Sequence, residues 1–253
     1  MTKSVKLLLL IVSLFLMVGV NVASVALPLN GMTPKDLSDL YTVLFTPAGY
    51  VFSIWSVIYL GAIVWVFSFF SKKRVPELPS VIYFCLSSLL NSLWLLAWHY
   101  QWLNLSLILM TGLLIVLGLF YQAEIIGMSF SWLNRFISVY LGWITIAWLA
   151  NISYDMVAVL EVSQKTQEVT SVIFLVCGIL ISGGFLWRWN ELLYPLVFVW
   201  AYSGIYQRLT SIHQEKIGLL AGVLGALILV MTLIKLYLTF KGPQEVNPDR
   251  ANK

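Results

Sequence analysis

Asn91, Ser92, Leu93, Trp94 and Trp98 fall in one long apolar stretch of the chain, and Trp143, Ala147 and Asn151 fall in another. An amide or indole in such a stretch is costly unless something holds it. Asn91, Trp94 and Trp98 follow i, i+3, i+7, while the second set follows i, i+4, i+8, so each lies along one helix face. A third stretch carries Phe52, Trp55 and Tyr59 on one face. Faces of this kind can wall an internal pocket, or they can glue helices together. Bond-making chemistry has less support. The two histidines, His99 and His213, have no plausible second metal ligand beside them, and no Ser-His-Asp set, H-E-x-x-H or Gly-rich phosphate loop occurs.

The elements that position these residues follow from composition. The chain is 60% hydrophobic and 10% charged, against roughly 25% charged in a soluble domain. The deficit comes from eight apolar runs, about 7–27, 48–70, 79–98, 102–122, 132–153, 169–187, 190–207 and 217–240. Each is near the roughly 20 residues needed to cross a hydrocarbon core, and none alternates as a barrel strand would. The chain therefore reads as an all-α, polytopic transmembrane helical bundle of about eight helices. With the N-terminus inside, Lys3, Lys6, Lys72, Lys73, Arg74, Arg135, Arg188, Lys241, Arg250 and Lys253 face the cytoplasm. Lys35, Lys165, Arg208 and Lys216 face the other side, and Lys235 snorkels from the last helix. This bias predicts a cell-membrane protein with both termini cytoplasmic. It also accounts for the net charge of +4 without a nucleic-acid partner. The first run ends at Ser24-Val25-Ala26, which could pass for a cleavage site, but its length favours a retained helix.

The longest outer loop, 28–47, holds Pro28, Gly31, Pro34 and Pro47 and has room for a helical turn near Asp36–Tyr41. Trp55, Asn91 and Trp143 each lie about 10 Å inside the outer end of their helices, at 1.5 Å per residue. Three helices thus bring aromatics and amides to one level beneath that loop, as a pocket with a lid would require. Trp98, Tyr100 and Trp102 also fit an interfacial aromatic belt. A second outer connection is expected over 154–168, carrying Asp155, Glu161 and Glu168. It would divide a five-helix part, 1–155, from a three-helix extension, 156–253. Pro195 is expected to disturb the seventh helix, and Gly218 with Gly222 to pack against a neighbouring helix within the chain. Cys85 and Cys177 fall inside helices and read as small core residues.

Thr46-Pro47 through Trp55 and Tyr59, Asn91-x-x-Trp94 with Trp98, and Tyr140-Leu-Gly-Trp143-x-x-x-Ala147-x-x-x-Asn151 resemble the TspO/MBR family, the translocator or tryptophan-rich sensory proteins. The resemblance covers about residues 5–155 and marks the chain as a larger, divergent relative. Where the family has a Pro-Pro pair, Pro47 is here followed by Ala48, and the family's loop signals are not recognisable. The resemblance implies a receptor-like or sensory protein whose pocket takes a flat hydrophobic ligand such as a porphyrin or haem, with no cofactor required. Carried over, Trp55, Tyr59, Asn91, Trp94, Trp98, Trp143, Ala147 and Asn151 would form the site. Indoles would stack on the macrocycle and Asn91 would offer it a hydrogen bond. Homodimerisation is a further family expectation.

A membrane transporter, or a passive conduit for a hydrophobic small molecule, is the alternative. Coupled transport usually needs an ionisable group deep in the membrane. Here Glu124, Arg188 and Glu191 are expected at the inner boundary and Asp155 at the outer one. An enzyme is the weaker reading, with His99 expected to be structural rather than a haem ligand.

Overall fold

A computed structural model describes residues 1–27, 29–71, 74–126 and 131–241. Pro28, Lys72, Lys73, Arg250 and Lys253, used above to assign loops and topology, lie outside the described residues. The regular elements are α1 (Lys3–Ala26), α2 (Pro34–Ser38), α3 (Ile54–Ser68), α4 (Leu78–His99), α5 (Leu103–Glu124), α6 (Phe136–Ala158), α7 (Gln164–Arg188), α8 (Leu193–Ser211) and α9 (Glu215–Lys241). Eight of these are long, one for each apolar run, and α2 is a five-residue helix in the loop after α1. A 3-10 turn, Gly49–Ser53, leads directly into α3.

Among the described residues, seven spans are long and apolar enough to cross a membrane, counting Gly49–Ser68 as one. The long helix outside that set is α8, whose tyrosines, Gln207 and Arg208 dilute its apolar character. It packs along α9 and against α6 and α7. Its 19 residues reach about 28 Å at 1.5 Å per residue, enough to cross with its neighbours. In the front of the bundle, α1 packs on α4, α4 on α5, and α5 and α3 on α6. Gly218 and Gly222 sit against Leu209 and Tyr206 of α8, so the small-residue stripe serves packing within the chain.

Two expectations need correction. The long connection over 154–168 is not there: α6 runs on to Ala158 and α7 begins at Gln164. Ser163 caps α7 by accepting a hydrogen bond from the Thr166 N–H, so the polar residues 164–168 form its first turns. Asp155 therefore lies within α6, buried at 7% exposure, rather than in a loop. Pro195 also leaves its helix undisturbed, because α8 starts at Leu193 and places the proline in its first turn, where no N–H is needed.

At the end opposite the loop, polar side chains stitch the helices together. Glu124 accepts hydrogen bonds from Ser80 Oγ and from Asn134 Nδ2, the latter at 2.6 Å. Arg135 meets Glu191 at 2.6 Å, and Glu191 also accepts from the Leu193 N–H at 3.0 Å. The ammonium of Lys235 stands 4.9 Å over the Trp187 ring, the reach expected of a snorkelling lysine. Cys85 and Cys177 are both free thiols.

Candidate ligand cavity beneath the loop

Trp55 is the centre of an aromatic wall. Its ring stacks on Tyr59 at 5.6 Å and on Trp94 at 6.3 Å, and it meets Trp143 edge-on at 6.2 Å. Phe52 adds a second edge contact to Trp143 at 5.7 Å. Spacing produces this wall: 55 and 59 stack one helical turn apart on α3, 143 and 147 do so on α6, and Phe52 joins them from the 3-10 turn that leads into α3. The rings border a cavity of about 670 Å³, within the range of small-molecule sites. Asn21, Val22 and Val25 of α1 close another side, and Thr33, Ser38 and Thr46 of the loop cover it. Among the described residues lining the cavity, none carries a charge. Trp143 Nε1 and Tyr59 Oη, on side chains of the wall, are buried and have no hydrogen-bond partner.

Asn151 organises the polar side of this cavity. Its Oδ1 accepts from Trp94 Nε1 at 3.2 Å and from Ser106 Oγ at 3.0 Å, while its Nδ2 donates to Asp155 Oδ1 at 3.3 Å. One amide thereby fixes an indole of α4, a hydroxyl of α5 and a carboxylate one turn away on α6. Asn151→Leu strands all three, and is expected to cost about 1–3 kcal/mol of stability. Thermal unfolding of the detergent-solubilised protein would check this, and an unchanged midpoint would show that Asn151 is not the hub.

The loop is fastened over the cavity from several directions. Tyr154 Oη donates to the Leu37 carbonyl at 2.9 Å, and the Tyr154 ring lies 4.6 Å from Trp98 and 5.4 Å from Tyr41. Leu37, Val43, Trp98 and Tyr154 form a small apolar core of their own beneath it. The rear helices also grip this region. Arg208 pairs with Asp39 at 2.7 Å, the Ala48 N–H donates to the Gly204 carbonyl at 3.1 Å, and Trp200 Nε1 donates to the Val51 carbonyl at 3.1 Å. Phe45 meets Phe174 of α7 edge-on at 5.5 Å.

Trp55, Tyr59, Trp94, Trp98, Trp143, Ala147 and Asn151 all line this one cavity. Asn91 stands behind the wall instead: it is fully buried, and its Oδ1 accepts from Asn21 Nδ2 at 2.8 Å. Asn21, which does line the cavity, also donates to the Met17 carbonyl at 2.8 Å. Sequence reasoning missed Asn21, although an amide inside the first apolar run carries the same signal as Asn91. It also missed Ser56, Ile146 and Ala150, which have small or aliphatic side chains and give no signal at all. His99 is fully buried at the end of α4, with Nδ1 3.2 Å from the Leu95 carbonyl oxygen. Trp102 is exposed beside Tyr100, as a belt residue should be. No group of three or more metal-ligating side chains occurs among the described residues.

An aromatic, uncharged cavity under a tethered loop, inside a bundle of membrane-crossing helices, defines an integral membrane protein with an internal apolar site. The sequence profile described as TSPO-like protein matches residues 7–234, most of the chain. The chain belongs to that family. The match runs past residue 155 and takes in α7, α8 and most of α9. Comparison with curated proteins and with solved structures finds no match.

Proposed function

We propose that this protein binds a flat hydrophobic ligand of the porphyrin type in the cavity under the loop and serves as a membrane receptor or sensor for it. One observation carries the reading: the rings of Trp55, Tyr59, Trp94 and Trp143, in contact through Trp55, line one cavity of about 670 Å³. Planar rings offer a planar guest dispersion and quadrupole contacts over its whole face. Trp98, Ala147 and Asn151 complete the lining, and Asn91 acts through Asn21 by holding α1 in place. Haem is a second ligand of the same shape, and no cofactor is needed for binding. The basic residues at the far end from the loop support a cell-membrane topology with both termini cytoplasmic and the loop outside.

Titration of the detergent-solubilised protein with protoporphyrin, followed by Trp fluorescence, tests the reading. Saturable quenching is expected in the wild type. Trp143→Leu should weaken it by about ten-fold or more, a loss of about 1.4 kcal/mol. Asn91→Leu should weaken it less, through a loosened α1. Unchanged quenching curves in both variants would sink the proposal.

A further inference from the structure

The lining of the cavity is not uniformly enclosed, and the difference is directional. On the side of the loop, α4 and α6, the lining is buried or half-buried, and Ser38, Thr46, Trp98, Trp143 and Tyr154 are each 8% exposed or less. On the side of α1 and α3, Asn21 and Ser24 are buried, but Val22 is 57% and Val25 66% exposed, and Ala26 and Ser56 are exposed as well. These four exposed residues lie in two apolar spans, Lys3–Ala26 and Gly49–Ser68, whose outward faces meet lipid. The two flanking helices pack on each other, and each is also anchored to a different partner. The amide pair Asn21–Asn91 ties α1 to α4, while the ring contacts of Phe52 and Trp55 with Trp143 tie α3 to α6. The loop, by contrast, is held by the Leu37–Tyr154 hydrogen bond, the Asp39–Arg208 ion pair and the Ala48–Gly204 hydrogen bond.

We infer that the ligand is a bilayer-dissolved molecule that reaches the cavity sideways, through the seam between α1 and α3, while the loop stays closed. This rests on the ligand-binding reading and adds to it the source of the ligand and the path it takes. A flat apolar molecule concentrates in the hydrocarbon phase, so a lateral opening samples it without first returning it to water. The seam can widen by a small shift of α1 on α4 or α3 on α6, with the three fastenings of the loop intact.

The test uses the full chain in phosphatidylcholine vesicles with protoporphyrin dimethyl ester, an uncharged probe, and stopped-flow Trp quenching. Ala26→Phe and Ser56→Phe place bulk in the seam, on lipid-facing positions that burden the fold little. Both variants are expected to slow association and dissociation together, by about ten-fold or more. Asp39→Asn and Arg208→Gln, which loosen the loop, are expected to leave both rates within about two-fold of the wild type. Faster association in the loop variants, with wild-type rates in the seam variants, would overturn the inference in favour of a path under the loop. Weaker binding in the seam variants through faster dissociation alone would overturn it too, by making those residues contacts rather than a path. Absence of saturable quenching by both this ester and free protoporphyrin in the wild type would instead defeat the ligand-binding reading itself.

Discussion

Arg135→Met is expected to lower the unfolding midpoint sharply, at a cost of about 3–5 kcal/mol. The Glu191 carboxylate is 1% exposed and meets Arg135 at 2.6 Å, with the Tyr121 hydroxyl at 3.5 Å and the Leu193 N–H at 3.0 Å as its other partners. Removing the guanidinium leaves a buried carboxylate whose remaining donors are both neutral. The position magnifies the effect, because Glu191 sits between the end of α7 and the start of α8 while Arg135 starts α6. Losing the pair unfastens the rear helices from the front ones at that end. Circular dichroism melts in detergent would measure it. The double variant Arg135→Met with Glu191→Met should recover most of the loss, since a buried pair can be replaced by apolar groups at little cost. A single variant that melts like the wild type would show that the pair is dispensable.

Gly204→Ala is expected to destabilise the protein by about 1–3 kcal/mol and to impair ligand binding from a residue outside the cavity lining. A Cβ there would overlap the Val51 side chain and stand 3.2 Å from Pro47 Cβ and 3.3 Å from the Ala48 nitrogen. Val is stiff at χ1, so the turn 47–51 must move rather than the side chain alone. That turn delivers Phe52 and Trp55 to the cavity and lies beside Thr46 and Pro47, which line it. Porphyrin titration alongside a thermal melt separates the two effects. Normal binding in a destabilised variant would mean that α8 supports the fold without shaping the site.

The fold was legible wherever a run of apolar residues was long, because the cost of burying a backbone in lipid leaves only helices open to it. What ran false was the polar margin. Residues 154–158 and 164–168 look like a loop by composition, yet Ser163 caps one helix and Asp155 finds Asn151, so both segments stay helical. The indoles of the cavity wall were readable, since Trp55, Trp94, Trp98 and Trp143 are rare, large and regularly spaced, whereas Tyr154, which also lines it, was not. Nor was the supporting part. Gly204 and Arg208 are far from those motifs in sequence and join them only through tertiary contacts. Asn91 shows the limit in another way: its depth was readable, but whether it faced the cavity or α1 depended on a rotation no spacing could fix.

The modest hydropathy of α8 has a consequence for how the chain is made. Leu193–Ser211 lies outside the seven spans whose composition alone suits a bilayer, yet it is packed on three sides by α6, α7 and α9. An insertion machinery that weighs segments one at a time would find it marginal, since tyrosines, Gln207 and Arg208 offset its leucines and valines. Its contacts with α9 begin just after a turn of a few residues, where Gly218 and Gly222 admit Leu209 and Tyr206 at close range. Membrane integration of α8 should thus depend on the segment synthesised after it, with the pair entering as a hairpin. The part of the chain that braces the loop would then be completed after the front helices, so the cavity acquires its roof only once α9 has been made.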